Sequence, residues 1–278
     1  MMRKAIRAVS CLGLICLASA GALQAQVWGV NPLATGSELI SINPFTGVIQ
    51  TAFSLGSTIA TGNTEIGLAG WGENELFYTN ADLNNGMVYV LDPANGSTIR
   101  SFSVSGGWEI DGIGYWSDGT DSYLYTSGCS VDDMHRYDAV DGAGPQFYWS
   151  DAYDPRAVAG DYGGKIFTYA QQEGTWGIYE VNPTVNAALT WFAASPSTDV
   201  VGMAYDGMYL YLSDTNNRLY TMNNSGNVVS TLQMEYTLYG LASTAGTGEP
   251  LPEPASILVL GVGMLGLMGA GVRRRKQD

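Results

Sequence analysis

Two sequence strings recur along the chain with a period of about 45 residues, and this recurrence restricts the fold more than any other feature. The first string is a short alternating segment that runs into Asn or Asp, then Pro or a substitute, then turn residues. Its copies are LISINPFTG, VYVLDPANG, the degenerate HRYDAVDGA, IYEVNPTVN and LYTMNNSGN. The marker positions Pro44, Pro93, Ala139, Pro183 and Asn224 lie 49, 46, 44 and 41 residues apart.

The second string is a triplet of small, apolar and small residues that keeps the same period. Its first residues are 45, 45, 45 and 38 positions apart in the five copies Gly67-Leu68-Ala69, Gly112-Ile113-Gly114, Ala157-Val158-Ala159, Gly202-Met203-Ala204 and Gly240-Leu241-Ala242. Two independent markers with one period indicate a true structural repeat.

Each repeat divides into four short strands separated by turns rich in Gly, Asn and Asp. In the second repeat these strands are EIGLAGW, ELFYTN, MVYVLD and STIRSFSV. Four strands in 40 to 50 residues are typical of one β-propeller blade. The small triplet suits an inner strand at a crowded channel wall, and the Asn/Asp-Pro-x-x-Gly turn suits the connection from the third strand to the outermost one.

The two ends of the repeat array complement each other. The first unit, from VWGVN to VIQTAFSL, lacks an inner strand, and the last triplet copy, in YTLYGLAST, lacks its three outer strands. Joining them predicts an all-β propeller of five four-stranded blades over residues 26–244, with the C-terminal strand completing the first blade. A six-bladed ring and an open solenoid are the alternatives.

The segment Leu76-Phe77-Tyr78-Thr79-Asn80 resembles the repeat unit of bacterial surface propellers with YVTN-like repeats. This short motif implies the propeller architecture and little about function.

Residues 1–25 have the pattern of a secretory signal peptide. Arg3, Lys4 and Arg7 precede an apolar segment from about Ala8 to Ala20, and small residues follow. Cleavage after Ala22 and cleavage after Ala25 both satisfy the pattern, and the choice stays open.

The C-terminus carries a second targeting pattern after a short linker at residues 245–251. Pro252, Glu253 and Pro254 precede the uncharged apolar segment 255–272, and the basic residues Arg273, Arg274, Arg275 and Lys276 follow at once. Eighteen apolar residues reach roughly 27 Å as a helix, enough to cross a thin hydrocarbon core. The basic cluster predicts that this end stays in the cytoplasm. The string GVGMLG within the segment lacks the strand and helix that a nucleotide-binding loop requires.

The signal peptide together with residues 252–278 resembles a PEP-CTERM sorting protein. The resemblance covers the C-terminal 27 residues and says nothing about the fold. It implies recognition by an exosortase-type membrane protease in a Gram-negative bacterium, with processing near Pro252 to Pro254. Release to the cell surface, the outer membrane or an exopolysaccharide matrix, such as that of a biofilm, would follow. It also implies membrane association through the C-terminal helix before processing.

The composition excludes several classes of function. Residues 26–250 contain five basic and 24 acidic residues, a net charge of about −19, and this balance argues against a nucleic-acid partner. Cys129 is the single cysteine of this region, so an internal disulfide is excluded. His135 is the single histidine of the chain and stands in a strand-like segment, which argues against zinc sites with several histidines and against a catalytic role.

Charged residues precede the triplets at the positions where loops enter the predicted inner strands. We expect Glu65, Glu109, Asp154 and Asp199, with Asp111 and Arg156 beside them, to surround one channel mouth. Such a ring suits Ca²⁺ or a negatively charged opening, and no other cofactor is expected. The alternative is that these acids are merely solvated. Trp71 and Trp116 occupy equivalent places after their triplets and suit either sugar stacking or the core between blades.

Three functions are compatible with these patterns. The first is a non-catalytic, exported surface or matrix protein whose propeller binds carbohydrate, a cation or a protein. The second is a five-bladed glycosidase or lyase acting on polysaccharide, with Glu65, Glu109 and Asp199 as candidate acid and base. The third is a purely structural role. The repeat-related positions of the acids favour the first, because a catalytic pair requires two carboxylates in different environments.

Overall fold

A computed structural model describes residues 26–33, 36–56, 66–71, 74–80, 86–104, 110–128, 133–144, 146–149, 153–161, 164–183 and 189–244. The chain divides into two compact units, Met1–Thr247 and Gly248–Asp278. The predicted signal peptide, the linker, the sorting motif, the transmembrane helix 255–272 and the basic tail lie outside the described residues. Nowhere in the described part does a helix combine the length and apolar character that crossing a bilayer requires.

The described chain folds into twenty strands arranged as five four-stranded antiparallel sheets. Blade 1 contains β1 (Val27–Leu33), β2 (Gly36–Ile42), β3 (Ile49–Leu55) and β20 (Tyr239–Ser243). Blade 2 contains β4 (Ile66–Trp71), β5 (Glu75–Asn80), β6 (Met87–Leu91) and β7 (Thr98–Ser103). Blade 3 contains β8 (Gly112–Ser117), β9 (Ser122–Gly128), β10 (Asp133–Asp138) and β11 (Gln146–Trp149). Blade 4 contains β12 (Tyr153–Gly160), β13 (Ile166–Gln172), β14 (Thr175–Val181) and β15 (Leu189–Ala194), and blade 5 contains β16 (Val200–Tyr205), β17 (Tyr209–Asp214), β18 (Arg218–Asn223) and β19 (Val228–Gln233).

The five blades form a closed ring. The inner strands contact one another in the cyclic order β4, β8, β12, β16 and β20, and β20 returns to β4. Within blade 1, β20 pairs antiparallel with β1, so the C-terminal strand completes the N-terminal blade. The predicted five-bladed propeller and its closure are therefore confirmed, and the six-bladed and open alternatives are excluded.

Small residues in the inner strands allow the blades to approach closely. A Cβ at Gly67 would lie 2.8 Å from Cγ2 of Ile113 in the next blade, and one at Gly112 would lie 2.9 Å from the Cα of Ala157. Larger side chains at these positions would collide with the backbone of the neighbouring inner strand. The crowding predicted for the triplets is thus present in the ring.

Apolar side chains fill the spaces between neighbouring blades. Between blades 2 and 3, the rings of Phe77 and Tyr115 stack with centroids 5.9 Å apart, and Trp71 stacks on Tyr115 at 5.4 Å. Burial of such large side chains is the main favourable contribution to folding here, because the domain contains no internal disulfide. Each blade contributes one face to each of two adjoining clusters.

The predicted Asn/Asp-Pro-x-x-Gly turns join the third strand of a blade to the outermost strand. In blade 1, Asn43 Oδ1 accepts hydrogen bonds from the backbone N–H groups of Phe45 and Thr46, and Gly47 N–H donates to the Asn43 carbonyl. The glycine adopts a positive φ of 72°, which side chains rarely tolerate. Glycines with positive φ close the equivalent turns of blades 2, 3 and 5, at Gly96, Gly142 and Gly226.

Candidate functional site

The first two residues of every triplet, from all five inner strands, converge on one small cavity. Together with Ile66, Asp111 and Val201 they line a space of about 10 Å³, about what one water molecule requires. The channel is therefore filled by the protein itself over this part of its length. A ligand larger than water has no room among these residues.

Asp111 is placed at the entrance to β8 and lines this cavity. Its backbone N–H donates to the carbonyl of Ser127 at 2.9 Å, which holds the entrance of blade 3 against β9. The backbone carbonyl of Arg156, in blade 4, would lie 3.0 Å from a Cβ on the neighbouring Gly112. The structure thus brings the entrances of blades 3 and 4 together.

Arg156 is exposed and rests on an aromatic stack. Its guanidinium carbon lies 4.9 Å from the ring centroid of Trp176, and Trp176 in turn stacks on Tyr169 with centroids 4.7 Å apart. The Tyr169 hydroxyl donates to the carbonyl of Thr198 at 2.6 Å, so the stack links blade 4 to the loop that enters blade 5. A guanidinium over an indole is a favourable cation–π contact.

Asp199 is exposed on that same loop. Its Oδ2 accepts a hydrogen bond from Thr198 Oγ1 at 3.4 Å, and its backbone carbonyl accepts one from the N–H of Thr215 at 3.1 Å. Its carboxylate is available to solvent, as the solvated-acid alternative requires. Asp199 is adjacent to the Arg156 stack through Thr198.

The remaining predicted site residues are only partly described. Asp154 lies in β12 opposite Gln171, and its side chain is outside the described residues. Glu65 and Glu109 lie outside them altogether, as do Pro252, Glu253, Pro254, Arg273, Arg274 and Arg275. Within the described ranges, no group of three or more His, Cys, Asp or Glu residues is placed to hold a metal ion. The predicted carboxylate ring and its Ca²⁺ therefore remain predictions.

The acidic segment Ser117–Ser122 forms a tight turn between β8 and β9. Asp118 Oδ1 accepts the backbone N–H groups of Thr120 and Asp121 at 2.8 and 2.9 Å. These hydrogen bonds from Asp121 and Thr120 hold the pKa of the Asp118 carboxyl below its usual value. The carboxylate therefore stabilises its own turn.

The tryptophans divide into core and surface residues. Trp116 is 6% exposed and packs with Val158 and Ile166 of blade 4, and Trp71 is partly buried in its stack with Tyr115. The core interpretation of Trp71 and Trp116 is thus confirmed. Sequence reasoning missed Trp176, which supports Arg156, and Trp191, which is 50% exposed. Trp191 had one signal in the sequence: it interrupts the repeat with a large residue on an outer strand.

Comparisons with known proteins leave the site without an assigned ligand. No protein-family model matches the chain, and no curated protein sequence matches it. Solved structures with a similar chain path include a nidogen/laminin complex, at 13% identity and a TM-score of 0.49 over 79% of this chain and 98% of that chain. A streptogramin B lyase has 12% identity and a TM-score of 0.44 over 77% of this chain and 67% of that chain. Virginiamycin B lyase from Staphylococcus aureus has the same identity and TM-score over 80% and 74%. At these values the similarities carry no argument about ligand or activity.

Proposed function

We propose that the chain is an exported surface or matrix protein whose five-bladed propeller binds other molecules on its outer surfaces, without catalysis. The observation that carries this proposal is the filled channel. Ligand and substrate pockets usually enclose about 300–1,000 Å³, whereas the triplets leave about 10 Å³. The described residues around this cavity therefore leave recognition to the blade edges and the ring faces.

The positions of the first and last strands of the propeller support the targeting part of the proposal. Val27 lies opposite Ser243 in the sheet of blade 1, so both flanking segments join the ring at the same blade. Removing residues 1–25 and the segment after Thr247 leaves all twenty described strands in place. Processing by a signal peptidase and by an exosortase-type protease is thus compatible with an intact propeller.

The glycosidase or lyase alternative receives less support. Glycoside hydrolysis uses two carboxyl groups on either side of the scissile bond, with one pKa raised. Of the acids proposed for that role, Asp199 lies in the described residues and is exposed to solvent. An exposed carboxylate on a loop is better suited to binding a cation or a hydroxyl group than to acting as a buried general acid.

Cell fractionation tests the targeting proposal. The full chain is produced in a Gram-negative host that encodes an exosortase-type protease, and the membrane, surface and medium fractions are compared. We expect the wild type to reach the surface or medium with a shortened C-terminus. Glu253→Ala should accumulate unprocessed in the inner membrane, while Glu249→Ala, an acid just outside the motif, should behave as wild type. Retention of the wild-type chain in the cytoplasm would contradict the proposal.

Calorimetry tests the binding role at the channel mouth. The full chain in mild detergent is titrated with CaCl₂ and with soluble polysaccharides. Arg156→Ala and Asp199→Ala are compared with Arg218→Ala, a basic residue away from the Trp176 stack. Saturable heat that the first two variants lose would locate binding at the mouth. Unchanged heat in both variants would remove the mouth from the proposal and leave the blade edges.

A further inference from the structure

One large aromatic side chain stands exposed on the outermost strand of blade 4. Trp191 lies in β15, and 50% of its surface is accessible to solvent. The other large hydrophobic side chains that are exposed in the described residues include a single further aromatic, Phe45, which packs on Tyr209 in another part of the ring. An indole exposed to this degree contributes less to the core than a buried one, and its open surface is available for contact with another molecule.

The repeat shows that most blades do without an aromatic residue at this position. In every blade, the residue three positions before the turn Asn or Asp pairs with one residue of the outermost strand. That partner is Ala52 in blade 1, Ser101 in blade 2, Phe147 in blade 3, Trp191 in blade 4 and Thr231 in blade 5. Blades 1, 2 and 5 thus carry a small residue where blade 4 carries Trp191. The five-fold architecture does not require an indole there.

The strand beneath Trp191 is adapted to it. A Cβ at Gly177 would lie 2.3 Å from Cζ3 of Trp191, so the ring rests directly on the backbone of β14. The four residues at the equivalent position of the other repeats are larger: Glu38, Met87, Asp133 and Arg218. The buried ring of Tyr179 meets the indole nearly at right angles, at 86° and 5.3 Å between centroids. Gly177 and Tyr179 therefore hold the indole in one orientation with part of its surface open.

We propose that Trp191 is a stacking platform for a neutral pyranose residue of a polysaccharide. The negative face of an aromatic ring attracts the weakly positive C–H groups on the apolar face of a sugar ring. A rigid indole binds such a ring at low entropic cost, because its own side chain is already ordered. This inference depends on the proposed binding function in one respect, the choice of polysaccharide as the ligand class.

The charge of the domain selects a neutral glycan over an acidic one. Residues 26–250 carry a net charge of about −19, and a polyuronate would be repelled by this field at low ionic strength. A neutral chain meets no such barrier. The position of β15 at the outer edge of its blade also suits a long polymer, which can pass across a convex rim and cannot enter the filled channel.

Affinity electrophoresis of the full chain tests the platform. Native gels contain soluble hydroxyethyl cellulose as the neutral probe, alginate as the acidic probe, or no polysaccharide. The variants are Trp191→Thr, which introduces the residue of blade 5, and Trp191→Phe, which keeps a smaller ring. Phe45→Ala is the matched control, because it removes the other aromatic side chain that is exposed among the described residues. Thermal unfolding of each variant confirms that the fold is retained.

We expect hydroxyethyl cellulose, and not alginate, to retard the wild type and Phe45→Ala equally. Trp191→Thr should raise the dissociation constant at least about tenfold, and Trp191→Phe should lie between the two. The wild type should also show a change in indole fluorescence on addition of cello-oligosaccharide, and Trp191→Phe should lose that change.

Four outcomes would overturn the platform. Unchanged retardation of Trp191→Thr would do so and would leave the proposed binding function intact at another site. Loss of retardation in both Trp191→Thr and Phe45→Ala would indicate nonspecific apolar adsorption. Absence of retardation in the wild type would reject both the platform and carbohydrate as the ligand class, while the fractionation result would stand separately. If the wild type forms a dimer that Trp191→Thr dissociates, and the binding of hydroxyethyl cellulose is unchanged, Trp191 would instead be assigned to self-association.

Discussion

Val27, the first residue of β1, lies opposite Ser243, the last residue of β20, in the ladder that joins the two ends of the ring. The strand β20 also contacts β16 of blade 5 and β4 of blade 2. The inner strand of blade 1 is therefore supplied by the far end of the chain, and three blades depend on it. Leu241 of this strand is 1% exposed, so it forms part of the core.

Removal of the closing strand should open the ring. A chain that ends after Gln233 loses β20 with Leu238 and Leu241, and it uncovers Val27 on β1. We expect a loss of at least about 3 kcal/mol in the free energy of unfolding, since each buried leucine contributes roughly 1.5–3 kcal/mol. Urea unfolding measures this loss. The control is a chain that ends after Thr247. A free energy of unfolding as low for this control as for the shorter chain would contradict the prediction.

The turn of blade 3 packs so closely on blade 2 that an added methyl group there should destabilise the protein. Gly142 has φ 72°, and a Cβ there would lie 2.7 Å from Cδ2 of Phe102, whereas Gly144 has φ 63° and nothing within 4 Å. Both alanine variants incur the cost of a positive φ, about 1–2 kcal/mol. Gly142→Ala adds overpacking of about 1–3 kcal/mol. Chemical unfolding of the two variants separates these contributions, and equal destabilisation would show that the interblade contact carries no energy.

Gly177 and Trp191 should be coupled in stability. Gly177→Ala places a methyl group 2.3 Å from the indole, and we expect it to destabilise the protein by about 1–3 kcal/mol. In a Trp191→Thr background the same change meets a smaller side chain and should cost much less. A double-mutant cycle measured by urea unfolding gives the interaction energy, expected at about 0.5–3 kcal/mol. Simple additivity of the two changes would contradict the packing described here.

Buried tyrosines should make the fold sensitive to alkali. Burial raises the pKa of Tyr78 to about 12, although the hydrogen bond with Asn80 opposes the shift, and burial raises the pKa of Tyr137 and of Tyr205 to about 12. Burial is also the main reason that the pKa of Tyr211 is raised. The Asp206 carboxylate, whose Oδ2 accepts a hydrogen bond from the Tyr211 hydroxyl at 2.6 Å, raises that pKa as well. Above the usual tyrosine pKa of about 10, the unfolded chain releases protons that the folded chain retains, so stability falls with rising pH.

Urea unfolding between pH 8 and pH 12 measures this dependence. We expect a plateau below about pH 10 and a steady loss between about pH 10 and pH 12. Tyr78→Phe should reduce the slope in that window by up to about 1.4 kcal/mol per pH unit. Stability that stays constant up to pH 12 would show that these hydroxyls do not remain protonated in the folded state.

The architecture followed from local patterns in the chain. The triplets beginning at Gly67 and Gly112 predicted inner strands, and the turns beginning at Asn43 and Asp92 predicted the joint to the outer strand. Both are local signals, because strand alternation and turn chemistry depend on a few adjacent residues. The missing inner strand of the first unit then predicted ring closure.

Only part of the candidate site could be predicted from the sequence. Arg156 and Asp111 lie at the entrances of neighbouring blades, and the contact of Arg156 with Trp176 was not predicted. Arg156 in β12 and Trp176 in β14 are placed together because both strands pair with β13. A pattern within one strand does not report which side chain of a second strand will lie against it.

The sequence by itself determined the repeat, the four strands of each unit and their order, because these depend on a period and on turns that recur within each repeat. It favoured five blades closed by the C-terminal strand, and the tertiary structure decided this against a six-bladed ring and an open solenoid, because closure depends on the pairing of β1 with β20. The tertiary structure decided which aromatic residues face solvent. Trp116 and Trp191 both lie on strands, yet one is 6% and the other 50% exposed. The difference arises because burial on a blade face is set by the neighbouring blade. Blade 4 covers Trp116, whereas Trp191 lies on an outermost strand over Gly177.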